Sequence, residues 1–137
     1  MKRSRSITLL AATIALGLLS RRFPLPGLLA EHLGDALYAT AAAWLATLLR
    51  PSLRAADTAL AGFAIATLVE CQQLLDWGWL VELRHTRVGA LVLGQGFQAA
   101  DLLAYACGAL LAGAVAAACR DRAGAATSSS PGCDRTK

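Results

Sequence analysis

The chain has 137 residues, which suits one domain. Apolar residues make up 56% of it and its mean hydropathy is +0.51, against roughly 45–50% apolar in an ordinary soluble domain, so a water-covered globule fits poorly. The net charge of +4 is spread over every connection and not gathered on one face, which excludes a nucleic-acid surface.

Polar residues fall in short clusters between four long apolar runs, the pattern of a chain whose outer surface meets lipid. The first run, Ile7 to Leu19, follows the basic Lys2, Arg3 and Arg5. A signal peptide shares that basic start and short core. However, Ser20 is followed at once by Arg21 and Arg22 in place of a small-residue cleavage site, so a retained helix is expected. Pro24, Pro26 and Gly27 then break the chain, Leu28 to Leu33 suits a short interfacial helix, and Asp35 suits the N-cap of a second span over Ala36–Leu49.

Arg50, Pro51 and Arg54 mark a tight turn, and a third run extends from near Leu53 to about Leu75. Some twenty residues at about 1.5 Å each span a hydrocarbon core of about 30 Å. Trp77 and Trp79 in the next connection fit an aromatic belt at the membrane boundary. Residues 88–97 are too short to span and read as a re-entrant or interfacial segment, with Gly89, Gly94 and Gly96 allowing sharp turns; a fifth short helix is the alternative. The fourth span is Ala99–Cys119, ended by Arg120 and Arg122, and the Ser-, Gly- and Ala-rich tail is expected to be disordered.

The fold class expected is all-α: a transmembrane bundle of four membrane-spanning helices with a re-entrant or interfacial segment before the last. Its parts are a basic cytoplasmic N-terminus at 1–6, the four-helix domain at 7–119 and a cytoplasmic tail at 120–137. Lys2, Arg3, Arg5, Arg50, Arg54, Arg120, Arg122, Arg135 and Lys137 fall on one side, against Arg21, Arg22, Arg84 and Arg87 on the other. That bias puts both termini in the cytoplasm of a cell (inner) membrane.

Alternating spans bring the start of the second helix, the end of the third and the start of the fourth to the same, outer side. Asp35, Glu70, Gln73 and Asp101 all lie there. On the third helix Gly62, Ala66, Glu70 and Gln73 share one face, and on the fourth Asp101, Tyr105, Gly108 and Ala112 do. Small residues on such stripes let membrane helices approach closely, which sets the acids above a helix–helix seam. Acids near a membrane core call for partners, and Arg84 or Arg87 are the candidates, pairing with Glu70 or Asp101. The expected ligand-binding set is therefore Asp35, Glu70, Gln73, Arg84, Asp101 and Tyr105. The same residues read equally as helix caps and salt bridges that pin the connection.

Cys71, Cys107, Cys119 and Cys133 form no CxxC pair, and no HExxH, phosphate loop or nucleophile elbow is present, so neither a metal nor a cofactor is expected. The bilayer is the expected partner, together with a polar ligand or lipid head group. Two alternatives stand beside this: a membrane enzyme using Glu70 and Asp101 as acid and base on an envelope precursor, or a structural assembly partner.

An ExxQ at a helix end, a following Arg, and an Asp opening a helix with Gly two turns on resemble the VanZ-like membrane proteins. Here these are Glu70, Gln73, Arg84 or Arg87, Asp101 and Gly108. Tyr105 stands where that pattern usually has Asn. A related bacterial family of small four-helix membrane proteins of unknown function is similar over about residues 15–115. Its pattern includes Gly34–Asp35, Glu70 to Leu74, Trp79, Arg84, Leu93 to Phe97 and Asp101 to Tyr105. The VanZ-like resemblance implies a role at the cell envelope connected with glycopeptide tolerance.

Overall fold

The computed structural model describes residues 3–23, 27–75, 77–93 and 98–128. Gly94, Gly96, Pro24, Pro26, Cys133 and the last part of the tail lie outside the described residues. Among those described, the elements are helices and no strand occurs: α1 Arg3–Ser20, α2 Leu28–Leu49, α3 Ala55–Gln72, α4 Gly78–His85, α5 Arg87–Leu93 and α6 Asp101–Ser128.

Helices α2, α3 and α6 each touch the other two, and α1 lies along α2. The seams are made of small residues. A Cβ added at Gly108 would overlap the carbonyl of Ala36, so α2 and α6 meet backbone to backbone there. Thr40 exploits the approach by donating across it to the Gly108 carbonyl at 2.9 Å. At Gly62 an added Cβ would come within 2.7 Å of both the Ala39 carbonyl oxygen and the Ala43 methyl, which fixes the α2–α3 spacing. Ala39, Ala43, Ala66, Ala112 and Ala116 complete the interior with Trp44 and Tyr105.

Among these apolar residues the interior also holds polar side chains, while large apolar ones lie outside. The largest fully buried side chains are Glu70, Thr47, Thr58 and Ser6, all polar. Thr47 lies 3.3 Å from the Ser6 hydroxyl, joining α2 to α1. Leu49, Leu60, Leu68, Leu103 and Leu110 point outward, each about 70% exposed.

One helix among the described residues, Asp101–Arg122 within α6, is long and apolar enough to cross a membrane by length and composition. The four expected spans are thus not matched by four helices of that kind. Helices α1, α2 and α3 reach 18, 22 and 18 residues, but residues such as Arg3, Arg5, His32, Asp35, Asp57 and Glu70 lower their average apolarity.

Some boundaries differ from the sequence expectation. Leu28–Leu33 is continuous with α2, so Asp35 lies two turns inside the helix and is not its N-cap. The expected break at Gly27 is present, with a φ of 54° that suits a residue without Cβ, and Gly34 lies inside the helix. Helix α6 runs past Arg120 and Arg122 to Ser128, because the Ala-rich stretch after them favours helix and the next breaker is Pro131. The connection before α6 holds two short helices, α4 and α5, packed on each other; α5 agrees with the short-helix alternative for residues 88–97, of which 94–97 lie outside the described residues. Within it Gly89 is no turn residue: it lies inside α5, where a Cβ would overlap the Leu83 carbonyl.

Candidate polar site at one end of the bundle

The end of α3 and the starts of α2 and α6 converge. Glu70, the last buried residue of the Thr58–Gly62–Ala66–Glu70 stripe, is 1% exposed. Its Oε2 accepts from the Tyr105 hydroxyl at 2.8 Å and from Gln73 Nε2 at 3.0 Å, and its Oε1 accepts from the Gln98 backbone N–H at 2.7 Å. A carboxylate is an acceptor, and all three partners are donors. Glu70 thereby holds α3 to α6 and to the backbone that leads into α6.

A second group lies between α2 and α6. His32 and Asp35, at i and i+3, share one face of α2. Asp101, the first residue of α6 and 8% exposed, brings Oδ1 to 3.4 Å from His32 Nδ1, an ion-pair distance without hydrogen-bond alignment. The contact at Gly108, two turns along α6, sets this separation. One donor atom each from His32, Asp35 and Asp101 lies within 4.8 Å of the others.

Of the residues expected to line a site, Glu70, Gln73 and Tyr105 thus form one hydrogen-bonded group, and Asp35 and Asp101 lie close together beside His32. Arg84 joins neither. Its guanidinium donates to the carbonyls of Gln72 at 2.6 Å, Leu75 at 3.2 Å and Gln73 at 3.4 Å. A helix C-terminus leaves such carbonyls without partners, and Arg84 supplies them. The expected ion pair of Arg84 or Arg87 with Glu70 or Asp101 is therefore corrected: Arg84 ties α4 to the end of α3, and Arg87 is exposed. His32 was not foreseen. Its signal was the i, i+3 spacing to Asp35, legible only once both lie on one helix.

An apolar groove of about 430 Å³ runs between α1 and α2 and is closed by Leu91 and Val92 of α5. Tyr38 lines it, donates to the Val92 carbonyl at 2.9 Å and lies with its ring centroid 6.4 Å from that of Tyr105. Gly34, beside Asp35, lines it as well, and Arg21 sits in its wall. The groove thus borders the polar group through Gly34 and Tyr38.

Residues 24–109 match DUF2809, a family described as proteins of unknown function, and the chain belongs to that family. The match spans α2 to α5 and the first third of α6, and so contains His32, Asp35, Glu70, Gln73, Arg84, Asp101 and Tyr105. It carries no link to VanZ-like proteins. No solved structure matches the chain.

Proposed function

We propose that this is a multi-pass protein of the bacterial cell (inner) membrane that binds a polar ligand, a lipid head group above all, at the end of the bundle where α2 and α6 begin. The observation that carries the membrane part is the row of exposed leucines around an interior in which Glu70, Thr47, Thr58 and Ser6 lie among alanines. Lipid imposes no penalty on exposed leucine, and membrane helices associate through small residues and interhelical hydrogen bonds. In this reading α1, α2, α3 and α6 all cross the bilayer. Their modest average apolarity follows from polar side chains turned toward neighbouring helices.

With Arg84 occupied elsewhere, Asp35 and Asp101 are the groups that meet the ligand, and Glu70 holds Tyr105 and Gln73 behind them. Such a site favours a head group bearing positive charge or hydrogen-bond donors, with its acyl chain in the groove beside Tyr38. The burial and three donors of Glu70 weigh against an acid–base role for it. The VanZ-like resemblance adds an envelope setting to this proposal. On the basic-residue bias both termini are cytoplasmic and the polar end faces outward.

Two measurements test this. In a protein whose native cysteines are replaced, Ser52→Cys and His85→Cys are exposed to a membrane-impermeant maleimide on intact cells. His85→Cys is expected to label directly and Ser52→Cys only after permeabilisation; labelling of both from one side sinks the multi-pass reading. Lipids retained through purification are then read by native mass spectrometry. Asp35→Asn is expected to lose a lipid that the parent protein keeps, and an unchanged lipid complement removes the head-group assignment.

A further inference from the structure

We infer that His32, Asp35 and Asp101 form a binding site for a divalent first-row metal ion of the Zn²⁺ or Mn²⁺ kind. The inference rests on reading this cluster as a ligand site, but it requires neither a lipid ligand nor a particular membrane topology.

The donor set is mixed, one imidazole and two carboxylates, and it comes from two helices. Such ions hold N and O ligands at about 2.0–2.2 Å, so donors around one ion lie no more than about 4.4 Å apart, and about 3.4 Å apart when tetrahedral. His32 Nδ1 and Asp101 Oδ1 are already 3.4 Å apart, and all three donor atoms fall within 4.8 Å. Small side-chain rotations close the remainder.

The second observation concerns the imidazole itself. His32 Nδ1 is shielded from solvent and makes no hydrogen bond among the described residues, although it faces the Asp101 carboxylate. Its one charged neighbour, the Asp101 carboxylate at 3.4 Å, is not aligned as a hydrogen-bond acceptor, which calls for an explanation. A metal ion accepts the lone pair of that nitrogen and screens Asp35 from Asp101 at the same time.

The backbone supports the same geometry. Asp35 precedes Ala36, the residue whose carbonyl touches Gly108, and Asp101 lies two turns from Gly108 on α6. The ligands therefore sit together at one end of the tightest crossing between α2 and α6, which limits their relative motion. The imidazole suits Zn²⁺ and the two carboxylates also suit Mn²⁺, while Ca²⁺ and Mg²⁺ favour all-oxygen sites. Three protein ligands leave at least one position open to water or to an oxygen of a bound molecule.

The test uses the full chain in detergent micelles and the metal alone as probe. Mn²⁺ binding is followed by loss of the free-ion electron paramagnetic resonance signal, and Co²⁺ binding by its visible spectrum. One ion per chain is expected, with nitrogen and oxygen ligation and no thiolate charge-transfer band. Removing even an indirect supporter of a metal ligand weakens affinity about 10–100-fold, so His32→Asn is expected to weaken it at least about tenfold. Asp101→Asn should do the same, while Cys71→Ser with Cys119→Ser leaves binding unchanged.

Bound metal should also raise the unfolding temperature of the parent protein but not of His32→Asn, which separates lost ligation from failed folding. Absence of stoichiometric binding, parent-like affinity in a folded His32→Asn, or dependence on the cysteines overturns the inference. The lipid and labelling measurements read other quantities. If metal binding fails while Asp35→Asn still loses its lipid, the metal alone is withdrawn; metal binding with an unchanged lipid complement removes the lipid alone.

Discussion

Arg54 and Asp57 begin α3, three residues apart, pairing at 3.0 Å with side chains 83% and 37% exposed. Glu70, near the end of the same helix, is 1% exposed and takes its nearest side-chain partner outside α3, Tyr105, from 35 positions along the chain. The first pair is local: Asp57 Oδ2 accepts from the Arg54 backbone N–H at 3.2 Å, as the inner residue of a capping box does. Its hydrogen bond to Asp57 raises the pKa of the Arg54 guanidinium. The second group is tertiary and exists only because three helices cross. One helix thus carries an acid that serves its own end and an acid that serves the whole bundle, and sequence separation of the partners distinguishes them.

If the tertiary end depends on close crossing, then widening the crossing should be the most damaging change. Gly108→Leu places a side chain where even a Cβ overlaps the Ala36 backbone. Backbone cannot rotate away as a side chain does, so the loss is expected at or above about 3 kcal/mol, the upper end for overpacking. Unfolding in micelles by a graded denaturing detergent measures it; parent-like resistance would mean that α2 and α6 do not touch there. Gly34→Ala serves as the matched control. No heavy atom lies within 4 Å of a Cβ at Gly34, so the same glycine-for-alanine logic predicts a gain of up to about 1 kcal/mol from helix propensity.

Next in size is Glu70→Leu. It strands the buried Tyr105 hydroxyl and removes the acceptor of the half-buried Gln73 amide and of the N–H of exposed Gln98. Each unsatisfied donor costs about 1–3 kcal/mol, and partial relaxation brings the expected total near 3 kcal/mol. Tyr105→Phe, which removes one of the three donors, should cost about 1.5–3 kcal/mol by itself, and much less when Glu70 is already Leu. Additive losses in the double variant would mean that the two side chains do not interact.

What the chain order made legible was periodicity and which helix ends meet. Gly62, Ala66 and Glu70 repeat every four residues, and Asp101, Tyr105, Gly108 and Ala112 follow helical spacing, so each set shares a face whatever surrounds it. Direction was harder to read. Arg84 carries the charge an acid needs, but the short α4 aims its guanidinium at the carbonyl end of α3, and only the position of α4 decides that. His32 was hidden for a different reason. Reading Asp35 as the N-cap of a second span left His32 outside that span, in a separate interfacial helix; in the continuous α2 the residue comes round to the face of Asp35. Metal-ligand motifs are recognised by close spacing in sequence, and here the third donor, Asp101, arrives from another helix.

The smallest effect belongs to the local pair and sharpens the comparison most cheaply. Asp57→Asn keeps an oxygen able to accept from the Arg54 N–H while removing the charge that meets the guanidinium. An exposed pair of this kind is screened by salt and contributes little to stability. The variant should therefore unfold with the parent protein at moderate ionic strength, with any difference confined to low salt. It should also leave Mn²⁺ affinity untouched, because Asp57 lies at the end of α3 remote from His32, Asp35 and Asp101. A destabilisation by Asp57→Asn that matched Glu70→Leu and persisted in high salt would erase the distinction between the two ends. Asp57 would then have to make a buried, tertiary interaction, despite a side chain that is 37% exposed.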